Sequence, residues 1–356
     1  MTRVDADLFC DPFAAAQWRH QPVIRHVEYA FPEVAWTVRP VVAHPEPLDG
    51  PDADAAATDA ERAATAAGLP VDADALRDGV PSSWAACEAL VGVRDAAADR
   101  ALAYLHRLAG EAFAAGRPPA SAEALADVAA DVDGVDPDAV RDAVGSRRAA
   151  AAVGRDAEVA RGLLADDDVG VRGDPATLPL APRLYSDGDP TARASRDDDR
   201  DSDDDRSSND DRDSNGDEAG RGPQATVPAP PLVCIRSGEY VDVVDPATGF
   251  DEFVDVLRRI DPDLGDLNWR AQIHGRSAME SYGVEQRAAE QWSNEDYAPQ
   301  VREVLSTFGE AYLADVAAAA NLSADTCRLS LRELDADGDV ARTETGAWRL
   351  RTEESD

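Results

Sequence analysis

The sequence predicts an α/β chain that carries a helical insertion and ends in a small helical unit with a hairpin. Three observations carry this. Residues 4–10 alternate so that Val4, Ala6, Leu8 and Cys10 share one face, as in a strand lying on a core. Two short β-rich runs, residues 232–236 and 240–244, flank a Ser237-Gly238 turn and read as a hairpin. Between these regions, from about residue 52 to residue 166, the composition turns to Ala, Asp, Arg and Leu and favours helices.

The elements follow in order. The first strand stops at Asp11-Pro12. Residues 14–30 place Trp18, Ile24, Val27 and Ala30 at near-helical spacing, with Pro22 marking a kink or a later start. Residues 36–43 form a second strand. Strand, helix and strand so close together make a βαβ unit, so the two strands are expected to be parallel with the helix covering the sheet. In the insertion, helices are predicted over 55–67, 84–93, 97–115, 121–130 and 137–164, the last broken near Ser146. Leu102, Leu105 and Leu108 give a buried stripe. After the hairpin, Phe250, Phe253, Val254 and Leu257 share one face of a helix over 250–260. The last segment reads as helices over 301–305, 313–320 and 324–336, with Asn321 to Ser323 as turn and N-cap, then a hairpin around Gly346. That order is winged-helix-like and predicts a separate small domain.

Charge narrows the function classes. The 356 residues hold 71 acidic against 35 basic side chains, a formal net charge of −36, and every basic residue is Arg. Such a field repels phosphate and argues against a protein that coats nucleic acid. A lysine-free, carboxylate-rich surface suits a halophilic cytosol, where multimolar salt shortens the Debye length to about 3 Å or less. No run approaches the roughly 18 apolar residues needed to cross a bilayer, and the N-terminus lacks a signal-peptide layout. The expectation is a cytoplasmic protein without membrane contact. The Asp/Ser/Arg-rich stretch 186–224 is expected to be a disordered acidic linker. The four cysteines and five histidines are dispersed, with no C-x-x-C or H-x-x-x-H pair, so no metal or cofactor is expected.

One stretch carries a resemblance. Residues 11–25, from Asp11-Pro12 through Trp18 and Pro22 to Arg25, resemble the D-P-x-C-P-x-[CS]-W-x-x-E-P-x-[IL]-[KR] opening of DsbA-type thioredoxin-fold proteins, with Gln21 in place of Glu. Ser82-Ser83-Trp84, residues 105–113 and the hairpin-plus-helix ending at Arg259 extend the likeness over most of residues 3–260 apart from the linker. It resembles most the cytosolic branch of FrnE-like isomerases and SpxH-type adaptors of the ClpXP protease. The resemblance implies a thioredoxin-like core over 1–45 and 225–262, a helical insertion over 46–185, the linker over 186–224, a connector over 263–296 and the winged-helix-like domain over 297–352.

The departure from the family is chemical. Its nucleophilic cysteine falls on Ala14 and its second redox position on Gln17, so both positions are vestigial and none is catalytic. An alanine at a helix N-terminus has no thiolate for the macrodipole to stabilise. Cys10 is the alternative thiol, read first as a small buried residue at the end of the strand. The cis-proline that flanks the site in this family falls on Pro230 or Pro231, with Pro230 preferred, or on Pro175. Unpaired backbone there could receive an extended peptide. A binding groove is therefore expected at Pro12, Trp18, Pro230 and Pro231. The leading expectation is a non-catalytic adaptor for a peptide or protein. The alternatives are a thiol-disulfide oxidoreductase or isomerase using a non-motif cysteine, and a DNA-binding regulator acting through the tail.

Overall fold

The computed structural model describes residues 4–179, 226–261 and 297–351. The linker expected over 186–224 and the connector expected over 263–296 lie outside the described residues. Strand β1 (Asp5–Cys10), helix α1 (Ala15–Ala30) and strand β2 (Ala35–Pro40) form the predicted βαβ unit, with β1 and β2 parallel from Asp5–Ala35 to Cys10–Pro40. Pro22 sits inside α1 without ending it.

The insertion supplies α2 (Gly50–Ala67), α3 (Ala73–Arg77), α4 (Trp84–Ala96), α5 (Ala101–Ala109), α6 (Ala122–Ala130), α7 (Pro137–Ala143) and α8 (Arg147–Ala165). The break at Ser146 is real. The Ser146 hydroxyl accepts the Ala149 N–H and caps α8. Where one helix was expected over 97–115, a 3-10 turn precedes α5 and a π-helical turn, Gly110–Ala114, follows it. Short strands β3 (Gly170–Arg172), β4 (Thr177–Pro179) and β5 (Thr226–Pro228) come next, then β6 (Leu232–Ser237), β7 (Tyr240–Val244) and α9 (Phe250–Ile260).

The main sheet runs β2-β1-β6-β7-β3, with β6 antiparallel to both β1 and β7. This βαβ–ββα arrangement is the thioredoxin-like fold. The fifth strand corrects one boundary: Gly170–Arg172, assigned by sequence to the insertion, pairs in parallel with β7 at the sheet edge.

Alternation in β1 sorts side chains onto two faces. Ala6, Leu8 and Cys10 join the main core beneath α1, α4, α5 and α9, whereas Phe9 lies on the opposite face with Leu232, Cys234 and residues of α8. Asp7 also points to that opposite face, where it is buried. Arg39 Nε at 2.8 Å and Arg236 at 3.0 Å pair with it, which offsets the cost of removing a carboxylate from water. Asp156 of α8 closes the same cluster with Arg39 at 2.9 Å and Arg94 at 2.6 Å.

The C-terminal unit comprises α10 (Ala298–Phe308), β8 (Glu310–Ala311), α11 (Leu313–Ala319), α12 (Ala324–Asp337), β9 (Val340–Arg342) and β10 (Trp348–Leu350), with the sheet ordered β8-β10-β9. It has the helix-turn-helix and hairpin that were expected, plus the strand β8. The expectation of a separate domain is corrected. Tyr29 of α1 lies in the tail's core, and Tyr312 of the tail lies in the main core. Gln21 Nε2 donates to Asp315 Oδ2 at 3.0 Å, and buried Arg25 donates to the Glu310 carbonyl while its guanidinium stacks 4.3 Å over the Phe308 ring. Asp315 is fully buried here and Glu28 partly so, and burial raises both carboxyl pKa values despite Arg25.

Candidate functional site

The site starts at the end of β1. Asp11 is fully buried and accepts three hydrogen bonds: from Phe13 N at 2.8 Å, Ala43 N at 2.6 Å and Ser83 Oγ at 2.5 Å. Ser83 N in turn donates to the His44 carbonyl at 2.9 Å. One carboxylate thus ties the start of α1 to the segment after β2 and to the start of α4. The Asp11-Pro12 and Ser82-Ser83-Trp84 motifs, far apart in sequence, meet here.

Held by this clamp, Ala14 is the N-cap of α1 in extended backbone conformation, and its methyl group can satisfy none of the first-turn N–H groups. Ala14, Ala15 and Ala16 form one wall of a cavity of about 290 Å³. Leu76 and Val80 form another, Ala112 and Phe113 of the π-helical turn a third, and Pro230 also lines it. His44 and Asp59 are the polar residues of the lining. That volume is at the lower end of the roughly 300–1,000 Å³ of small-molecule sites, enough for one or two apolar side chains.

The expected groove residues divide. Ala14 and Pro230 line the cavity. The cis peptide bond joins Pro230 to Pro231, so the cis residue is Pro231, directly before Leu232, rather than the preferred Pro230. Pro175 has no cis bond. Pro12 is buried. Trp18 is a correction: it is completely buried and does not line the cavity. Its indole N–H donates to the Pro70 carbonyl at 3.0 Å, its ring stacks on Phe113, and Tyr312 meets it edge-on. The free backbone expected before the cis bond is also partly used, since Ala229 N donates to the Ala176 carbonyl at 2.7 Å. The chain's own β4 strand pairs with β5 there.

Gln17, the second vestigial position, is fully buried, and neither its amide oxygen nor its nitrogen has a hydrogen-bond partner among the described residues. Burying an unpaired amide costs about 1–3 kcal/mol. Gln17→Leu removes that cost at similar volume and is expected to stabilise the chain by about 1 kcal/mol or more, read as a higher denaturation midpoint. A lower midpoint would show that the amide is satisfied in solution.

All four thiols are buried. Burial pushes Cys10 and Cys87 well above the usual thiol range, reinforced in each by the nearby Asp11 carboxylate. Burial also raises Cys234, against the opposing Arg236, and lifts Cys327 to about 12. Cys10 and Cys234 occupy opposite faces of the sheet. Among the described residues, no group of His, Cys, Asp and Glu is placed to hold a metal ion, and no helix is long and apolar enough to cross a membrane.

Phe113 and Tyr312 were not singled out as site residues by sequence. Phe113 lies in the stretch that carries the family resemblance, whereas Tyr312 had no signal, because its neighbours are far away in the chain.

No family model matches the chain, and no curated protein matches it. Solved structures of similar fold include a protein of Nitrosomonas europaea provisionally described as a protein disulfide isomerase. It is 12% identical, with 77% of this chain and 100% of that chain covered, at a TM-score of 0.47. Another is the cytosolic disulfide reductase DsbM from Pseudomonas aeruginosa, 16% identical, with 53% of this chain and 96% of that chain covered, at a TM-score of 0.39.

Proposed function

We propose that this chain is a non-catalytic, DsbA-like binding protein that holds an apolar side chain of an extended peptide or protein in the cavity at the start of α1. The observation that carries the reading is the chemistry of position 14. A thioredoxin-like scaffold presents alanine at the helix N-terminus, and all four cysteine thiols are buried with a raised pKa. Thiol-disulfide exchange needs an accessible thiolate. The oxidoreductase alternative through Cys10 therefore lacks its nucleophile. An adaptor role in a halophilic cytosol, on the FrnE-like and SpxH-type branch, rests on the sequence resemblance and on the acidic, lysine-free composition.

We read the tail as a winged-helix-like unit that serves protein contacts. On α12, Arg328 is held by Asp325 at 2.6 Å, and Arg351 of the tail hairpin faces Asp335. These internal pairings occupy two of the tail's arginines, and Asp325, Glu333 and Asp335 on α12 add negative charge beside them, which disfavours the DNA-binding alternative.

The test uses the purified full chain in high salt. It is expected not to reduce insulin disulfides in the presence of dithiothreitol above the reagent's own rate. Labelled extended peptides with a central Leu or Phe are expected to bind, and the same peptides with Asp are not. Ala56→Trp, which fills the cavity from the partly exposed side of α2, is expected to weaken that binding about tenfold, equivalent to about 1.4 kcal/mol. Catalytic insulin reduction, or peptide binding indifferent to Ala56→Trp, would overturn the reading.

A further inference from the structure

The cavity wall is backed by residues from both ends of the chain. Phe113 lines the cavity. Behind it, Trp18 stacks on Phe113 with ring centroids 5.7 Å apart and planes 21° from parallel. Tyr312 of the C-terminal unit then meets Trp18 edge-on at 5.1 Å and 84°. All three rings are buried and in one continuous core, so displacing one displaces the next.

The backbone matches this contact series. A π-helical turn over Gly110–Ala114 changes the helical register where Ala112 and Phe113 enter the wall. The Phe113 carbonyl accepts the Asp72 N–H at 2.8 Å, which fixes the turn against the start of α3. The tail approaches the turn closely at Gly110. A Cβ at this position would lie 2.6 Å from the Tyr312 hydroxyl oxygen, but 3.6 Å from the nearest ring carbon. The absent side chain makes room for one atom of Tyr312.

We propose that Tyr312 is a positioning residue for the cavity: docking of the C-terminal unit on α1 sets the shape of the wall through Trp18 and Phe113, and an occupant that moves Phe113 shifts that docking in return. Linkage requires the coupling to be reciprocal. The inference rests on the reading that this cavity is the protein's binding site. The tail becomes a working part of the site.

The geometry supplies a clash and its relief. In the full chain, Ala14→Cys places one thiol in the cavity as a reporter, while the four native cysteines stay buried. Its alkylation rates with N-ethylmaleimide and the much bulkier N-(1-pyrenyl)maleimide are compared as a ratio. Adding Gly110→Ala drives a methyl group into the Tyr312 hydroxyl and is expected to change that ratio about fivefold, the lower end of ordinary coupling between sites. Adding Tyr312→Phe as well removes the clashing oxygen and is expected to restore the ratio. Protection of the Asp72 amide against hydrogen exchange should fall and recover in step.

General destabilisation would instead expose the native cysteines, and labelling of those cysteines in the Gly110→Ala chain would overturn the proposal. So would an unchanged ratio, or a changed ratio that Tyr312→Phe leaves unrestored. The peptide readout separates the two ideas. A fivefold ratio change with no Leu-peptide binding sinks the functional reading alone, and Leu-peptide binding with an unchanged ratio sinks this inference alone.

Discussion

Asp11→Ala is expected to destabilise the protein by about 3–5 kcal/mol, a large loss for one buried side chain. The substitution removes the acceptor of three donors at once: it orphans the N–H groups of Phe13 and Ala43, and it leaves the Ser83 hydroxyl only the longer bond to the His44 carbonyl at 3.3 Å. Each unsatisfied buried donor costs about 1–3 kcal/mol, and relaxation or water entry recovers part of the sum. Ser83→Ala removes only one of the three bonds and is expected to cost about 1 kcal/mol. Asp11→Asn falls between, because an amide nitrogen would face donors that the carboxylate oxygens now accept. Denaturant midpoints with unchanged slopes measure all three. A loss below 1 kcal/mol for Asp11→Ala would mean that the clamp is not what holds the start of α1. The same aspartate that could be mistaken for a catalytic acid is thus assigned to architecture, since all its recorded bonds go to donors of the scaffold.

Much of the fold was legible because its signals are local. The alternation of residues 4–10 survives as two differently buried faces of β1, and the hairpin around Gly238 forms as the β-rich runs required. A break near Ser146 and an N-cap at Ser323 were expected, and both hydroxyls accept a first-turn backbone N–H. What was not legible depends on partners far away in sequence. β3 is three residues long and largely exposed at a sheet edge, so no burial pattern marked it. The docking of the tail rests on Gln21 with Asp315 and Arg25 with Glu310, polar pairs nearly 300 residues apart, which periodicity cannot pair. Trp18 shows the limit most sharply. Its spacing correctly put it on the buried face of α1, but the groove assignment required knowing which neighbours cover that face. Tyr312 and Phe113 cover it, so the indole supports the cavity from behind.

Thiol reactivity separates a binding scaffold from an enzyme most directly, and here the expected contrast is large. In the folded chain all four cysteines are expected to react with iodoacetamide at least about 100-fold more slowly than a free thiol, because attack must wait for local opening. Ala14→Cys is expected to add one fast-reacting site. Two influences compete there. The first turn of α1 carries N–H groups without intrahelical acceptors, and a helix N-terminus favours an adjacent anion by about 0.3–1 kcal/mol, up to about 2 in partly buried geometry. Partial burial and the Asp11 carboxylate act the other way. The cavity opens to solvent beside exposed Ala16, which limits the desolvation, and the Asp11 charge is already spent on three donors. The helix terminus therefore wins, and the introduced thiol should titrate at or below the ordinary value of about 8.5 in a rate-versus-pH profile. A thiol at position 14 as silent as the native four would show that the α1 terminus here cannot support a nucleophile. Rapid labelling of Cys10 in the unaltered chain would do the opposite, returning the missing chemistry to the end of β1 and making the protein an oxidoreductase.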